Sequence, residues 1–186
     1  MTEKPLFNRI ALIGVGLIGS SLARVIRRDG LAAHVVGCAR SEATRQTVLD
    51  LKLADSVTDD PAKAASGADL VIICTPVGAY GAIAERIGPV LAPGAIVSDV
   101  GSVKRTVIDA IAPHLPDGVH LVPGHPIAGT ENSGPDAGFD TLFENRWVIL
   151  TPPEGTDQGA IDRVAALWRQ TGSNIEIMDA DHHDQV

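Results

Sequence analysis

Residues 9–28, RIALIGVGLIGSSLARVIRR, read without interruption as strand, glycine turn and helix, and this stretch decides the fold. Arg9 to Ile13 is a short β-branched apolar run of the kind buried in a parallel sheet. Gly14, Gly16 and Gly19 follow at once in the G-x-G-x-x-G spacing. Gly14 makes the tight turn, Gly16 lets backbone amides approach a pyrophosphate, and Gly19 lets the helix pack closely on the strand. The helix carries Leu17, Ile18, Leu22, Val25 and Ile26 on one face and Arg24, Arg27 and Arg28 near its C-terminal end, and it stops at Gly30. Its N-terminus points free N–H groups at a bound diphosphate, so Gly14, Gly16, Leu17, Ile18 and Gly19 form the expected cofactor turn. The plainer alternative is a glycine turn that merely joins strand to helix. The context the motif requires is all present, and it favours a dinucleotide.

The composition narrows the function classes. With 186 residues the chain can bury one domain, and 45% hydrophobic with 20% charged residues is ordinary for a globular protein. No apolar run is long enough for a membrane span, and Met1 to Asn8 lacks the apolar core of a signal peptide, which points to the cytoplasm. A net charge of −8, without a Lys/Arg cluster, argues against nucleic acid or an anionic membrane as partner. Cys38 and Cys74 lie in separate apolar runs and read as buried reduced thiols.

The chain continues as alternating strands and helices, which defines an α/β, doubly wound, mostly parallel sheet of the Rossmann type with extra C-terminal strands. Val35 to Ala39 is the second strand. An acid at its end would hold a ribose 2′-OH, but Ala39, Arg40 and Ser41 stand there instead. Without a carboxylate the repulsion toward a 2′-phosphate is gone, and Arg40 with Ser41 tilts the choice toward NADP or dual use. The alternative is that Arg40 stacks on the adenine or lies in solvent. Glu42 to Leu53 is a helix capped by Ser41, Asp55 to Thr58 an edge strand, and Asp60 to Ser66 a short helix. Asp69 to Cys74, DLVIIC, is a buried strand that delivers Thr75 and Pro76 to the cofactor crevice, and a helix follows from Val77 to Leu91.

Ala95 to Val100 is the next strand, and it opens into Gly101, Ser102 and Val103. Val103, Val107, Ile108 and Ile111 fall on one helical face. Ser102 suits the cap of that helix, and equally a contact with nicotinamide or substrate. Asp99 and Lys104, which flank it, read as solvated charges at least as readily as functional ones. His120 to Pro123 is a strand that runs into a loop from Gly124 to Pro135, GHPIAGTENSGP, where His125 is either a satisfied hydrogen-bonder or a proton acceptor.

These residues resemble a known family. GVGLIGSSLAR, SDVGSVK, GHPIAGTENSGP and RWVILTP (Arg146 to Pro152) are similar to segments of the prephenate and arogenate dehydrogenases of tyrosine biosynthesis, with the likeness extending over nearly the whole chain. The glycine motif is shared with many oxidoreductases, whereas GHPIAGTENSGP is far more specific. The resemblance implies oxidative decarboxylation of a cyclohexadienyl ring with NAD(P)⁺ as hydride acceptor and an anionic small-molecule substrate. His125 matches the catalytic histidine that takes the ring hydroxyl's proton. Ser102 matches a serine that orients histidine, nicotinamide and substrate. Thr130 and Glu131 match positions beside the substrate entrance.

Thr156 to Thr171 is a helix with Ile161, Val164, Ala165 and Trp168 inward, and Asn174 to Met178 is a last strand. Residues 1–178 are thus expected to form the dinucleotide-binding domain. Residues 179–186, DADHHDQV, read as the first turn of a helix, with a frayed tail or a His/Asp metal cluster as alternatives; no metal is expected. In the family this helix leads to a helical domain that makes the homodimer and supplies substrate-binding groups. A chain without it is expected to bind NAD(P) yet turn over poorly. Two other functions fit the glycine turn: a different dehydrogenase of the β-hydroxyacid or pyrroline-carboxylate reductase kind, and a non-catalytic NAD(P)-binding module.

Overall fold

Alternate residues of β1 (Phe7–Ile13) feed two separate cores: Ile10 and Leu12 pack on one side of the sheet, Ala11 and Ile13 on the other, and all four are buried. That two-sided burial is what a central parallel strand requires. In the computed structural model, which describes residues 4–186, six parallel strands stand in the order β3-β2-β1-β4-β5-β6. They are β1, β2 (Ala32–Cys38), β3 (Ser56–Thr58), β4 (Leu70–Ile73), β5 (Ile96–Asp99) and β6 (His120–Val122). The order reverses between β1 and β4, and ligands of such sheets bind at this switch, beyond the strands' C-terminal ends.

Helices cover both faces. α1 (Leu17–Asp29) brings Leu22, Val25 and Ile26, and α6 (Gln158–Gln170) brings Ile161, Val164 and Trp168, to the face of Ile10 and Leu12. α4 (Tyr80–Ile87) and α5 (Arg105–Ile111) bring Tyr80, Ile83, Ile87, Val107 and Ile111 to the opposite face. α2 (Glu42–Asp50) and α3 (Pro61–Ala65) complete the layers. Local chemistry fixes the ends: Gly30, at φ 62°, takes the left-handed position that closes α1, and the Ser41 side chain accepts the Thr44 N–H at the start of α2.

After β6 the chain leaves the main sheet at Pro123 and enters a second one, ordered β7-β8-β9, made of β7 (Gly124–Pro126), β8 (Trp147–Leu150) and β9 (Asn174–Ile177). β7 runs antiparallel to β8, with His125 opposite Ile149. The chain ends in α7 (Ala180–Gln185), whose N-cap Asp179 accepts the His182 N–H. No helix among the described residues is long and apolar enough to cross a membrane.

Four expectations need correcting. His125 sits on a strand rather than in a loop, because Gly124–Pro126 finds a ladder partner in β8. The helix expected from Val77 to Leu91 keeps α geometry only over Tyr80–Ile87, with a 3-10 turn on either side. α2 stops at Asp50, since the chain turns through Lys52 at φ 56°. Ser102 does not cap α5: that helix begins at Arg105, and the Asp184 carboxylate of α7 accepts the N–H groups of Lys104 and Arg105 at 2.9 Å each. Val103 accordingly lies outside the helix and is exposed.

Candidate active site

The glycine turn is built to receive an anion. α1 has neither a side-chain cap nor an acid in its first turn, so its leading N–H groups stay open. A Cβ on Gly16 would meet nothing within 4 Å, which leaves the backbone approachable there. By contrast, a Cβ on Gly19 would stand 2.6 Å from the Gly14 carbonyl oxygen, and Gly14 itself turns at φ 92° against Cys74 and Thr75. Gly14 N–H also donates to the Cys38 carbonyl at 2.8 Å, which holds the turn beside the end of β2. These residues fit a dinucleotide diphosphate.

The end of β2 presents Ala39, half-buried, and then Arg40 and Ser41, both exposed. The Ser41 hydroxyl is engaged in capping α2 and donates to Thr44 Oγ1 at 2.8 Å. Arg45, which the sequence reading passed over, donates to the carbonyls of Ala39 and Arg40 at 2.8 and 2.7 Å and so fixes this loop from α2. Thr75 and Pro76 follow β4, so Gly14, Ala39, Thr75 and Gly101 all stand just past the C-terminal ends of neighbouring strands.

At the end of β5, Asp99 and Lys104 are fully buried, which rules out the solvated alternative for both. Lys104 Nζ lies 2.6 Å from Asp99 Oδ2 and donates to the Gly124 carbonyl at 2.6 Å. Asp99 also accepts the N–H groups of Gly101 (2.8 Å) and Gly124 (3.1 Å). Burial pushes the Asp99 carboxyl up and the Lys104 ammonium down, and their mutual contact opposes both shifts. The pair ties the Gly101–Lys104 turn, which carries an exposed Ser102, to the residue preceding His125.

His125 is half-buried, and burial, with His183 and Lys104 nearby, pushes its imidazole down to about 4 against a weaker opposing effect of Asp184. It is therefore neutral at pH 7. Its Nδ1 is 2.9 Å from His183 Nε2, and His183 Nδ1 is 2.7 Å from Asp184 Oδ1. The tail, whose sequence suits a helix start, a fray or a metal cluster, thus forms a helix that packs against the expected catalytic histidine. The missing signal was weak: α5 lacks a good cap of its own, and Asp184 supplies one from the far end of the chain.

Thr130 and Glu131 are exposed on the segment after β7, with Thr130 Oγ1 accepting the Asn132 N–H. This segment then folds onto α1: Arg24 donates to the Pro135 carbonyl at 3.2 Å, and the Phe139 N–H donates to Ser21 Oγ at 3.1 Å. The GHPIAGTENSGP stretch therefore bridges the His125 strand and the glycine-turn helix. The buried Cys38 thiol is pushed up to about 11 and that of Cys74 higher still, so both stay protonated; neither cysteine forms a disulfide.

Fold, switch point and open helix N-terminus together define a Rossmann-type dinucleotide-binding protein. Residues 22–177 match the family described as prephenate dehydrogenase, nucleotide-binding domain, and the chain belongs to that family. The cyclohexadienyl dehydrogenase of Zymomonas mobilis is 46% identical over 180 residues, which are 97% of this chain and 61% of that protein. The prephenate dehydrogenase of Bacillus subtilis is 33% identical over 96% of this chain and 48% of its own length. Among solved structures, prephenate dehydrogenase from A. aeolicus in complex with hydroxyphenyl propionate and NAD⁺ superposes with a TM-score of 0.88 at 33% identity, over 95% of this chain and 62% of that one. Synechocystis arogenate dehydrogenase gives a TM-score of 0.87 at 32% identity, over 95% of this chain and 62% of that one. The chain thus spans about half to three fifths of the length of these relatives.

Proposed function

We propose that the protein is an NAD(P)⁺-dependent dehydrogenase that oxidatively decarboxylates prephenate, arogenate or both, in tyrosine biosynthesis. The observation that carries this reading is His125: a neutral imidazole at the C-terminal rim of the sheet, in a chain related to enzymes named for these substrates. Bound NAD(P)⁺ supplies the hydride acceptor. Gly14, Gly16, Leu17, Ile18 and Gly19 hold its diphosphate, Ala39, Arg40 and Ser41 face the adenosine ribose, and Thr75, Pro76 and Gly101 line the crevice.

His125 Nε2, which has no hydrogen-bond partner among the described residues, accepts the ring hydroxyl proton as that carbon gains carbonyl character. The carboxylate on the opposite ring carbon leaves as carbon dioxide and the ring becomes aromatic. Ser102 orients the hydroxyl, and Thr130 with Glu131 flanks the entrance. Placement in the cytoplasm and assembly as a homodimer complete the reading. It predicts NAD(P)H formation from prephenate or arogenate by the enzyme at its natural full length. No turnover of either compound with NAD⁺ or NADP⁺ would overturn it. Calorimetry with both cofactors resolves the cofactor: NADP⁺ preference that collapses in Arg40→Ala assigns Arg40 to the 2′-phosphate, and NAD⁺ preference indifferent to Arg40 makes it a bystander.

A further inference from the structure

The hydrogen-bonded series His125, His183, Asp184 has a direction, set by its last member. Asp184 is an acceptor only: against the upward push of burial, its carboxyl is held down at about 2 by the Arg105 N–H, His183 and the Lys104 N–H together. Its Oδ1 and Oδ2 already accept those two backbone N–H groups at 2.9 Å. The group facing it at 2.7 Å, His183 Nδ1, must therefore carry a proton. In a neutral imidazole the other nitrogen is then a lone pair. With a neutral His183, its Nε2 lone pair faces His125 Nδ1 at 2.9 Å and the proton between the rings belongs to His125 Nδ1. A neutral His125 with Nδ1 protonated has its lone pair on Nε2.

We propose that His183 and Asp184 are positioning residues that hold His125 in the Nδ1–H tautomer, so that Nε2 is the free base. The inference rests on the role of His125 in the proposed reaction. Without such a partner a free imidazole favours the opposite tautomer, with the proton on Nε2, and could only donate to a substrate hydroxyl. The geometry also explains why α7 closes against α5. One carboxylate caps the helix that follows the Ser102 turn and orients the ring pair beside it, which ties the two expected catalytic residues to a single anchor. His183 is buried at 7% exposure and its ring meets that of His125 edge-to-face, with centroids 5.1 Å apart, so the orientation is fixed by packing as well as by hydrogen bonds.

The test reads the tautomer directly. In the ¹⁵N-histidine-labelled protein at neutral pH, long-range ¹H–¹⁵N correlation spectra are expected to show His125 with Nδ1 protonated and Nε2 bare. In Asp184→Asn the NH₂ reaches His183 by giving up the Lys104 N–H, since Asp184 Oδ1 faces both, while the amide oxygen keeps the Arg105 N–H. This substitution should invert both rings, place the proton on His125 Nε2, and lower kcat by about 10²- to 10⁴-fold, the range for a positioned base, with KM little changed. His183→Leu fills the same space without an acceptor. It should move His125 toward the Nε2–H form, and it serves if Asp184→Asn does not fold. A wild-type His125 with Nε2 protonated, or a tautomer unchanged in both variants, would overturn the proposal. Because the spectra need no substrate, the tautomer claim can fail while turnover of prephenate stands, and the reverse.

Discussion

Lys104 Nζ and the Gly124 carbonyl oxygen are 2.6 Å apart, and through this contact a fully buried ammonium joins the end of β5 to the strand that carries His125. Asp99 completes the clamp by accepting from Lys104, Gly101 and Gly124 together. The arrangement sets the Gly101–Lys104 turn against the His125 strand by charge-assisted hydrogen bonds, which are shorter and stronger than neutral ones.

Breaking that pair leaves an uncompensated buried charge. Lys104→Met is expected to cost about 3–5 kcal/mol, measured by urea unfolding, whereas the double replacement Lys104→Met with Asp99→Leu should cost clearly less than the sum of the single changes. Additive losses would show that the two groups do not act as a pair.

Two glycines of the turn should separate binding from folding. Gly16→Ala enters open space and should leave the melting temperature nearly unchanged while weakening NAD(P)⁺ binding at least roughly tenfold, because the methyl group intrudes where the diphosphate approaches the backbone. Gly19→Ala drives a methyl into the Gly14 carbonyl and should lower stability by about 1–3 kcal/mol. Calorimetric binding and thermal unfolding of the two variants check both halves.

The pH dependence follows from His125. Its pKa is lowered to about 4, chiefly by burial, so the neutral base persists through pH 5–6, where an ordinary histidine would be mostly protonated. The acid limb of kcat/KM due to this group should therefore lie near pH 4. A limb near 6.5 would mean that the ring is solvated in the working enzyme. The same shift makes a stability statement: since the folded state disfavours the proton, this group's contribution is fully present above the unfolded value of about 6.5 and is lost as pH falls through about 4.

Much of the architecture was legible because its signals are local. Ile10 to Ile13 and Leu70 to Ile73 are apolar on consecutive residues, which two-sided burial demands, and glycines and prolines punctuate the elements. The glycine turn could be read for the same reason. The Asp99–Lys104 pair could not, since its burial depends on Gly124, brought up 20 residues later by the next crossover. Nor could the partnership of His125 with His183, which are 58 residues apart and meet only because α7 returns to cap α5. GHPIAGTENSGP is rich in turn residues and reads as a loop at His125, whose strand character comes from β8 rather than from its own sequence.

The most direct test of the account is the turnover of His125→Asn in the full-length enzyme, with NAD(P)⁺ binding measured alongside. Removal of the base should lower kcat for prephenate or arogenate by about 10²- to 10⁴-fold and leave cofactor affinity intact. Unchanged turnover would take His125 out of the chemistry and contradict the central claim.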